Sequence, residues 1–387
     1  MSEWKKVKLG EIYEVHNGLS KGRQFFGSGY PFLTFSTVFN NWFLPSTLDS
    51  LVQSSEKERT ACSIKRGDVF ITRTSETMDE LGMSSVALKD YPNATYNGFT
   101  KRLRPITDEI IPEYIGYYLR SKKFRGKFMA FSSMTTRASL ANDDLLSMEV
   151  EVPEKTTQKR IATILSRYDS LIENYQKQIK LLEEAAQRLY KEWFVDLRFP
   201  GYENTKIVDG VPEGWEKKKV GDLIEKVQRT KQVPTNDYLK TGNIPVIDQS
   251  RNYVAGYTND SECMVRVTTP YIVFGDHTRV LKYIPFSFAK GADGTQLIMS
   301  NDLKRMPQSL FYISLIGIDL SNYSYARHFK YLKEESILVP SVSIATSYEN
   351  IVAKYLQSIQ KNRESIRLLT EARDRLLPKL MSGEITV

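Results

Sequence analysis

Short clusters of basic and polar residues border the strand-like runs of this chain. Arginine and lysine side chains can bind phosphate or the edge of guanine, and asparagine and glutamine suit adenine. Any one of these residues can instead be solvated or paired with a carboxylate. We predict that they lie on loops and contact DNA. The candidates are Lys21, Arg23, Arg73, Thr74, Lys101, Arg102, Thr136 and Arg137 in the first half, and His277, Thr278, Arg279, Thr295, Gln296 and Arg327 in the second half.

The overall charge favours a polyanionic partner. The 387 residues carry a formal net charge of +8. Lysine and arginine side chains that neutralise phosphates release condensed counterions, which strengthens binding to nucleic acid. A soluble protein with a basic surface has the same charge without such a partner. Charge therefore supports nucleic-acid binding but does not establish it.

The sequence lacks the short motifs that mark common catalytic and nucleotide-binding sites. It has no G-x-G-x-x-G, no P-loop and no H-E-x-x-H segment. No two prolines are adjacent, so the Asn/Asp-Pro-Pro-aromatic motif of amino-methyltransferases is missing. Its three histidines are far apart in the sequence. We therefore expect a non-catalytic chain that itself holds no cofactor and no metal.

The sequence also lacks targeting signals. The first ten residues have no apolar stretch of the signal-peptide type, and no run approaches the ~20 apolar residues of a membrane span. Cys62 and Cys263 have no metal-ligand spacing around them and fit small buried residues better than a disulfide. We expect a cytoplasmic protein.

A long internal repeat organises the chain. Trp4 precedes Gly10 by six residues, and Trp215 precedes Gly221 by six residues. The ends of the two halves match without a gap at an offset of 187 positions, from residue 152 to residue 339. The run 68–74 aligns with the run 272–278, which makes Arg73 equivalent to His277.

The repeat predicts two globular domains, each followed by a helix. A chain of this length comfortably holds two domains of about 150 residues plus connectors. The globular parts mix short β-branched and aromatic runs with Gly, Asn and Asp, which is typical of strands and turns. We expect a first domain at 1–153, a helix at 154–196, a linker at 197–211, a second domain at 212–340, and a second helix with a tail at 341–387.

The two helices carry the apolar spacing of a coiled coil. Apolar residues recur at alternating steps of four and three, which is the spacing of a coiled-coil seam. Asn362 and Arg373 are polar exceptions, and such exceptions can fix the register of a pair. Two unrelated amphipathic surface helices are the alternative. The seam residues are Leu165, Tyr168, Ile172, Ile179, Leu182 and Leu189 in the first helix, and Val352, Tyr355, Ile359, Ile366, Leu369 and Leu376 in the second.

The order of the segments predicts an antiparallel helix pair. The first helix leads from the first domain to the second, so a second helix that pairs with it must run back. A helix of about 38 residues is roughly 57 Å long. We therefore predict an α+β protein in which two pseudo-repeated domains are separated by two long antiparallel coiled-coil helices. Such a protein suits two separated half-sites on DNA.

These features together resemble the specificity (S) subunit of type I restriction-modification systems. The resemblance covers essentially the full length of the chain. It is strong because several moderately specific segments occur in order and in duplicate. The segments are Trp4 to Gly10 with its copy at 212–221, the stretch 189–201 between the first helix and the second half, the run 274–279 with 291–296, and the stretch 376–385 at the end of the second helix.

The resemblance implies a function for each segment. In this family each globular part is a target-recognition domain that binds one half of a bipartite, asymmetric DNA site. The helices set the spacer and dock two methyltransferase (M) subunits, and restriction/translocase (R) subunits join that assembly. S-adenosylmethionine, ATP and magnesium belong to those partners. The stretch 153–158 departs from the family by lacking the Glu-Gln that often follows its proline.

Two other classes of protein compete with this interpretation. One is a coiled-coil scaffold or DNA-binding regulator outside any restriction system. The other is a nuclease or methyltransferase with an unrecognised site. The missing motifs argue against the enzyme, and the duplicated recognition-domain segments argue against the plain scaffold.

Overall fold

The computed structural model consists of two compact units. The first unit contains Met1–Ile172 and Arg367–Val387, and the second contains Glu173–Ile366. Each unit combines an α+β domain with part of each long helix. The structure describes residues 4–75, 81–131, 138–139, 141–228, 230–323 and 327–387.

The domain of the first unit is built from short strands and helices. Its helices are α1 (Leu9–Ile12), α2 (Phe35–Asn40), α3 (Glu56–Ala61), α4 (Pro112–Arg120), α5 (Lys122–Phe131) and α6 (Asn142–Ser147). Its strands are β1 (Lys5–Lys8), β2 (Tyr13–Asn17), β3 (Phe26–Leu33), β4 (Leu51–Val52), β5 (Val69–Thr72), β6 (Thr74–Ser75), β7 (Ser84–Val86), β8 (Thr95–Tyr96), β9 (Thr100–Pro105), β10 (Ala138–Ser139) and β11 (Glu149–Val152).

Local sequence signals explain where two of these helices begin. Ser55 and Glu58 form a capping box at α3, because each side chain accepts a hydrogen bond from the main-chain N–H of the other residue. Pro112 occupies the first turn of α4, where its missing N–H removes no helical hydrogen bond.

A four-stranded sheet separates two apolar cores in this domain. Its strand order is β2-β9-β5-β7, and a three-stranded sheet of order β4-β3-β8 lies in the same unit. Neighbouring residues of a strand point to opposite faces of a sheet. Val69 and Ile71 of β5 accordingly belong to one core, and Phe70 between them belongs to the other.

The helix α7 (Lys155–Tyr190) follows β11 and ends in a single π-helical turn, Lys191–Val195. An aromatic cluster surrounds this end. The ring of Trp215 lies 4.7 Å from that of Phe199 and 5.4 Å from that of Phe194. The predicted linker contains one strand, the turn that follows it and the first residue of the next strand, because Ile207–Val208 pairs with Val211–Pro212 as a small hairpin.

The domain of the second unit repeats the same plan with different strands. Its helices are α8 (Gln308–Ile316) and α9 (His328–Glu334). Its strands are β12 (Ile207–Val208), β13 (Val211–Pro212), β14 (Glu216–Lys219), β15 (Ile244–Ile247), β16 (Gly256–Thr258), β17 (Met264–Val265), β18 (Tyr271–Gly275), β19 (Leu281–Ile284), β20 (Phe288–Lys290), β21 (Thr295–Ile298) and β22 (Ser336–Val339). The main sheets have the orders β16-β15-β20-β17 and β19-β18-β21.

In both units a strand near the start of the domain pairs with its last strand, β1 with β11 in the first unit and β14 with β22 in the second. Lys5 of β1 lies opposite Val152 of β11, and Glu216 of β14 lies opposite Val339 of β22. Both pairs are antiparallel and four residues long. In each domain this pairing places the last strand beside the strand near its start, just before a long helix begins. The sequence repeat is therefore also a structural repeat.

The second long helix, α10 (Val342–Ser382), runs antiparallel to α7 within the second unit. Asn362 donates to the side chain of Gln178 at 3.2 Å, and Tyr348 donates to the main chain of Ala186 at 3.3 Å. The later residue of α7 therefore contacts the earlier residue of α10, as expected for antiparallel helices. The fold class predicted from the sequence, α+β domains with two long antiparallel helices, is confirmed.

The predicted seam residues lie on the covered side of each helix. Leu165, Val352 and Ile359 are buried, and the other predicted seam residues are half-buried. By contrast, Leu181 is 64% exposed and Leu368 is 51% exposed. The residues at alternating steps of four and three are therefore packed, whereas Leu181 and Leu368, which lie outside this spacing, face outward.

Two leucines of α7 give a test of this packing. We expect Leu165→Ala to lower the free energy of unfolding by about 2–5 kcal/mol, because it leaves a cavity in a core. The matched variant Leu181→Ala removes an exposed side chain and should change it by no more than about 0.5 kcal/mol. Urea unfolding of the full chain, followed by circular dichroism, measures both. Equal losses in the two variants would contradict the assigned faces.

Candidate nucleic-acid interface

In the first unit, polar side chains gather at one end of the four-stranded sheet. Arg73 directly follows β5, and Lys101 of β9 lies opposite Asn17, the last residue of β2. The Arg73 guanidinium donates to the Asn17 side chain at 3.2 Å. The Lys101 ammonium donates to the side chain of Asn142. Four residues that are distant in sequence thus form one polar cluster.

The electrostatics of this cluster favour an anion. Burial lowers the pKa of Lys101, and the positive charge of Arg73 lowers it further. Asp143 and Asp144 act in the opposite direction. Two neighbouring cations suit a phosphate or the acceptor edge of guanine.

Arg102 has a different environment from its neighbour Lys101. It is 2% exposed and lies on the opposite face of β9. Its guanidinium donates to the main-chain oxygens of Ser63 at 2.8 Å and Ala61 at 3.3 Å. Arg102 therefore holds the segment after α3 in place, and these buried contacts leave it poorly placed to reach DNA.

The remaining candidates of the first domain lie elsewhere. Lys21 pairs with Glu58 at 2.9 Å and donates to the main chain of Gln53. Arg23 is exposed in a short 3-10 turn. Thr74 lies in β6, whose main chain pairs with β10. Thr136 and Arg137 lie outside the described residues.

In the second unit, Gln249 ties three loops together. Its side-chain oxygen accepts from the main-chain N–H of His277, and its amide donates to the main-chain oxygen of Asp293, both at 3.1 Å. Its own main-chain oxygen accepts from the Thr278 hydroxyl at 2.6 Å. Gln249 is not among the residues predicted from the sequence. A polar run directly after the buried strand β15 was the available signal.

A buried lysine supports the loop that carries Gln249. Lys282 is 4% exposed, and its ammonium donates to the main-chain oxygen of Asp248 at 2.8 Å and to that of Asn252. Its burial lowers its pKa to about 8, and the carboxylate of Asp248, 3.7 Å away, partly compensates. These bonds fix the first half of the loop between β15 and β16, from Asp248 to Asn252.

Asp276 joins the same loops to α9. Its main-chain N–H donates to Gly294 at 2.7 Å, and its carboxylate accepts from the N–H of Phe329 at 2.8 Å. Its main-chain oxygen accepts from His328 at 2.9 Å. Arg327, which is exposed, is therefore held beside the loop that carries His277.

The other predicted residues of the second domain differ in exposure. His277 and Thr278 are exposed, and Gln296 is half-exposed. Thr295 is 2% exposed and points into the domain. Arg279 has a left-handed backbone, with φ of 61°, and its guanidinium donates to the main chain of Leu320 at 3.1 Å.

Strand pairing corrects the alignment of the two domains. Thr72 pairs with Thr100 at the end of β5, and Gly275 pairs with Thr295 at the end of β18. Arg73 therefore corresponds to Asp276 rather than to His277, and Lys101 corresponds to Gln296. The sequence alignment was one residue out of register. A slip of one residue exchanges the two faces of a strand, and burial decides which register is right.

Among the residues that the structure describes, no group of three or more His, Cys, Asp or Glu side chains is placed to hold a metal ion. No helix in the described parts of the chain is long and apolar enough to cross a membrane.

Comparison with known proteins identifies the family. The profile of the type I restriction modification DNA specificity domain matches residues 1–184 and again residues 212–366. The chain belongs to this family. The family assignment predicted from the sequence is therefore confirmed, and the double match reflects the two domains of this specificity subunit.

Individual relatives agree with the assignment. The type I restriction enzyme MjaIX specificity subunit of Methanocaldococcus jannaschii is 26% identical over 422 residues, covering 100% of this chain and 94% of the relative. The type I restriction enzyme HindI specificity subunit of Haemophilus influenzae is 23% identical over 478 residues and is covered completely. A crystal structure of the type I restriction-modification system S subunit from M. genitalium has the same fold, with a TM-score of 0.60, 15% identity, and coverage of 97% of this chain and 96% of that one.

The loop bracing by Gln249 can be tested by hydrogen exchange. We expect Gln249→Ala to speed exchange of the His277 amide proton by up to about tenfold, because one hydrogen bond contributes about 0.5–1.5 kcal/mol. Hydrogen exchange of the full chain, read by NMR or mass spectrometry, measures this. Gln357→Ala, at an exposed position of α10, is the control and should leave that proton unchanged. Equal exchange in both variants would show that Gln249 does not order the loop.

Proposed function

We propose that this specificity subunit binds a bipartite, asymmetric DNA site, with each α+β domain reading one half. The observation that carries the proposal is the shared strand framework with different chemistry at equivalent positions. Arg73 and Lys101 give the first domain two neighbouring cations. Asp276 and Gln296 occupy the equivalent places in the second domain. Equal frameworks with unequal side chains suit two half-sites of different sequence.

The side chains of the first cluster favour contacts with acceptors. Arg73 is half-exposed and already oriented by Asn17, so its guanidinium can present donors to guanine or to phosphate. Lys101 lies deeper and adds positive potential beneath it. We assign Arg73 the direct contact in the first domain and Lys101 a supporting one.

The second domain offers a mixed polar surface, in which hydroxyl, imidazole and amide groups lie beside arginine. Its exposed groups are His277, Thr278 and Arg327, with Gln296 half-exposed beside them. Amide and hydroxyl groups both donate and accept, which suits adenine-containing steps. We propose that the loops braced by Gln249 read this second half-site.

The long helices supply the remaining part of the proposal. We infer that α7 and α10 set the spacer between the half-sites and dock two methyltransferase subunits, with restriction/translocase subunits joining them. Exposed leucines such as Leu181 and Leu368 provide apolar helix surface suited to a protein partner. S-adenosylmethionine, ATP and magnesium would then be bound by those partners. The chain itself would provide recognition without catalysis, since its sequence lacks the motifs of a methyltransferase or nuclease.

Exchange of one domain tests whether each domain recognises its own half-site. Residues 1–153 are replaced by the corresponding domain of the HindI specificity subunit, and the chimaera is produced with the methyltransferase subunit. The junction keeps the β1–β11 strand pair within one parent, so the domain should remain closed. We expect only one half of the methylated sequence to change in methylome sequencing. The reciprocal control, an exchange of residues 212–340, should change only the other half. A chimaera that leaves both halves unchanged would refute the proposal.

Substitution of Arg73 tests its assigned contact. We expect Arg73→Ala to weaken binding of the full chain to the first half-site by about 1–3 kcal/mol if the contact is to a base, and to relax discrimination at that position. Fluorescence anisotropy with cognate and single-base-changed duplexes measures both effects. Arg66→Ala removes an arginine that pairs with Glu113 and serves as the matched control. Unaltered discrimination in Arg73→Ala would remove this residue from the interface.

A further inference from the structure

In the first unit, one arginine of α10 contacts both α7 and the globular domain. The Arg373 guanidinium lies 2.6 Å from the carboxylate of Asp169 on α7. It also lies over the ring of Trp42, 4.9 Å from its centroid. The Arg373 side chain is 12% exposed, so these contacts are largely shielded from water. A single side chain thus connects three parts of the unit.

A tyrosine of α4 completes this cluster. The Tyr117 hydroxyl donates to the second oxygen of the Asp169 carboxylate. Its ring lies 5.6 Å from that of Trp42. Burial raises the pKa of Tyr117, and the negative charge of Asp169 raises it further, so the hydroxyl remains a donor. Asp169 is therefore bonded from both sides, by α10 and by the domain.

The second unit contains a cluster of the same composition. Arg363 of α10 pairs with Glu183 of α7 at 3.0 Å and lies over the ring of Tyr253, 4.0 Å from its centroid. The Tyr253 hydroxyl is 2.7 Å from the main-chain oxygen of Tyr283. Tyr312 of α8 is close enough that Arg363 lowers its pKa while Glu183 and, above all, burial raise it. Tyr312 occupies the position in α8 that Tyr117 occupies in α4.

The two arginines are not copies of each other in the sequence repeat. At the offset of 187, Arg373 corresponds to Ala186 and Arg363 corresponds to Gln176. In each unit an arginine of α10 pairs with a carboxylate of α7 and stacks on an aromatic ring of the domain, and the residues that do so come from different positions of the repeat. Inheritance from a duplicated ancestor does not explain it, whereas a shared requirement of the two domains does.

The physical effect of each cluster is directional. A guanidinium is planar, so it can pair with a carboxylate along its edge and stack on an aromatic ring through its face. Apolar packing is non-directional and tolerates small rotations of a domain on a helix pair. The arginine contacts add the angular restraint that packing lacks.

We propose that Arg363 and Arg373 are positioning residues that hold each domain in one orientation on its helices and thereby restrict the spacer between the half-sites. The inference rests on the proposed function, since it concerns the same bipartite site. One added base pair shifts a half-site by about 3.4 Å and rotates it by about 35°. A domain held by a bonded and stacked arginine resists a rotation of that size.

The test compares spacer selectivity with half-site binding. Full-length Arg363→Gln and Arg373→Gln subunits are produced with the methyltransferase subunit. Each complex then modifies a plasmid library that carries both half-sites with spacers one base pair shorter and longer than the native one. We expect methylation at these spacers, relative to the native spacer, to rise about tenfold, while affinity for a duplex with a single half-site stays the same. A purely structural role would reduce all of these together.

Matched variants keep the result interpretable. Arg375→Gln removes a 79% exposed arginine of α10 that pairs only along its own helix and should leave the spacer unaltered. Arg363→Lys keeps the ion pair with Glu183 without the planar stack and should restore selectivity in part. If Arg373→Gln yields no folded subunit, Trp42→Leu removes the stacking surface, keeps an apolar side chain against the core and leaves the ion pair with Asp169 in place, and it should broaden the spacer in the same way.

The outcomes separate this inference from the function on which it rests. A wild-type complex that methylates no bipartite sequence would overturn both. A wild-type complex with a fixed spacer, and variants that keep the same spacer, would overturn the positioning role alone. Equal losses at every spacer and at single half-sites would reduce the clusters to fold-stabilising contacts.

Discussion

Burial of the apolar stripe shared by α7 and α10 is the interaction on which the first unit depends. That unit is assembled from two stretches of chain, and its second stretch begins at Arg367. Leu377, Leu380 and Met381 of this stretch share one core with Leu165 and with the sheet of the domain. Each such side chain contributes about 1.5–3 kcal/mol when fully buried. The first core is therefore complete only when α10 has returned to it.

The second unit depends on the same helices in another way. Tyr348 is fully buried, and its ring contacts Trp193 and Phe194 at the end of α7. Trp215, at the start of the second domain, packs against Phe194. The joint between the helix and the domain is thus an aromatic cluster. Aromatic pairs of this kind add about 0.5–1.5 kcal/mol to the burial of their area.

Buried charges in the two domains support loops, and exposed polar groups are left for recognition. Arg102 and Lys282 are both nearly inaccessible, and both bind main-chain oxygens of a neighbouring segment. Burial of a charge costs several kcal/mol unless such partners satisfy it. The bonds fix the loops independently of the side chains near them, so that Arg73 in one domain and His277 in the other can vary without disturbing either framework.

The sequence by itself determined the family, the fold class, the double domain and the four-three spacing of the helices. These properties depend on local periodicity or on duplicated segments, and both are visible in the amino-acid sequence alone. It did not determine the recognition surface. Lys101 and Arg102 are neighbours in sequence and both are almost fully buried, but they lie on opposite faces of β9, and only their contacts, with Asn142 and with Ser63, assign each to its face. The sequence alignment of Arg73 with His277 failed for the same reason, since one residue of slip exchanges the faces.

Only the tertiary structure decided which distant residues act together. Gln249 braces the candidate interface because three loops converge on it, and no periodic pattern marks such a convergence. Asp169 and Arg373 are 204 positions apart and meet through the pairing of two helices. Hydrogen bonds and ion pairs act over a few ångströms, so their partners are set by the folded path of the chain. The spacing of apolar residues in the sequence determines which face of a helix or strand is apolar. Only tertiary packing determines which residues contact that face and the polar residues beside it.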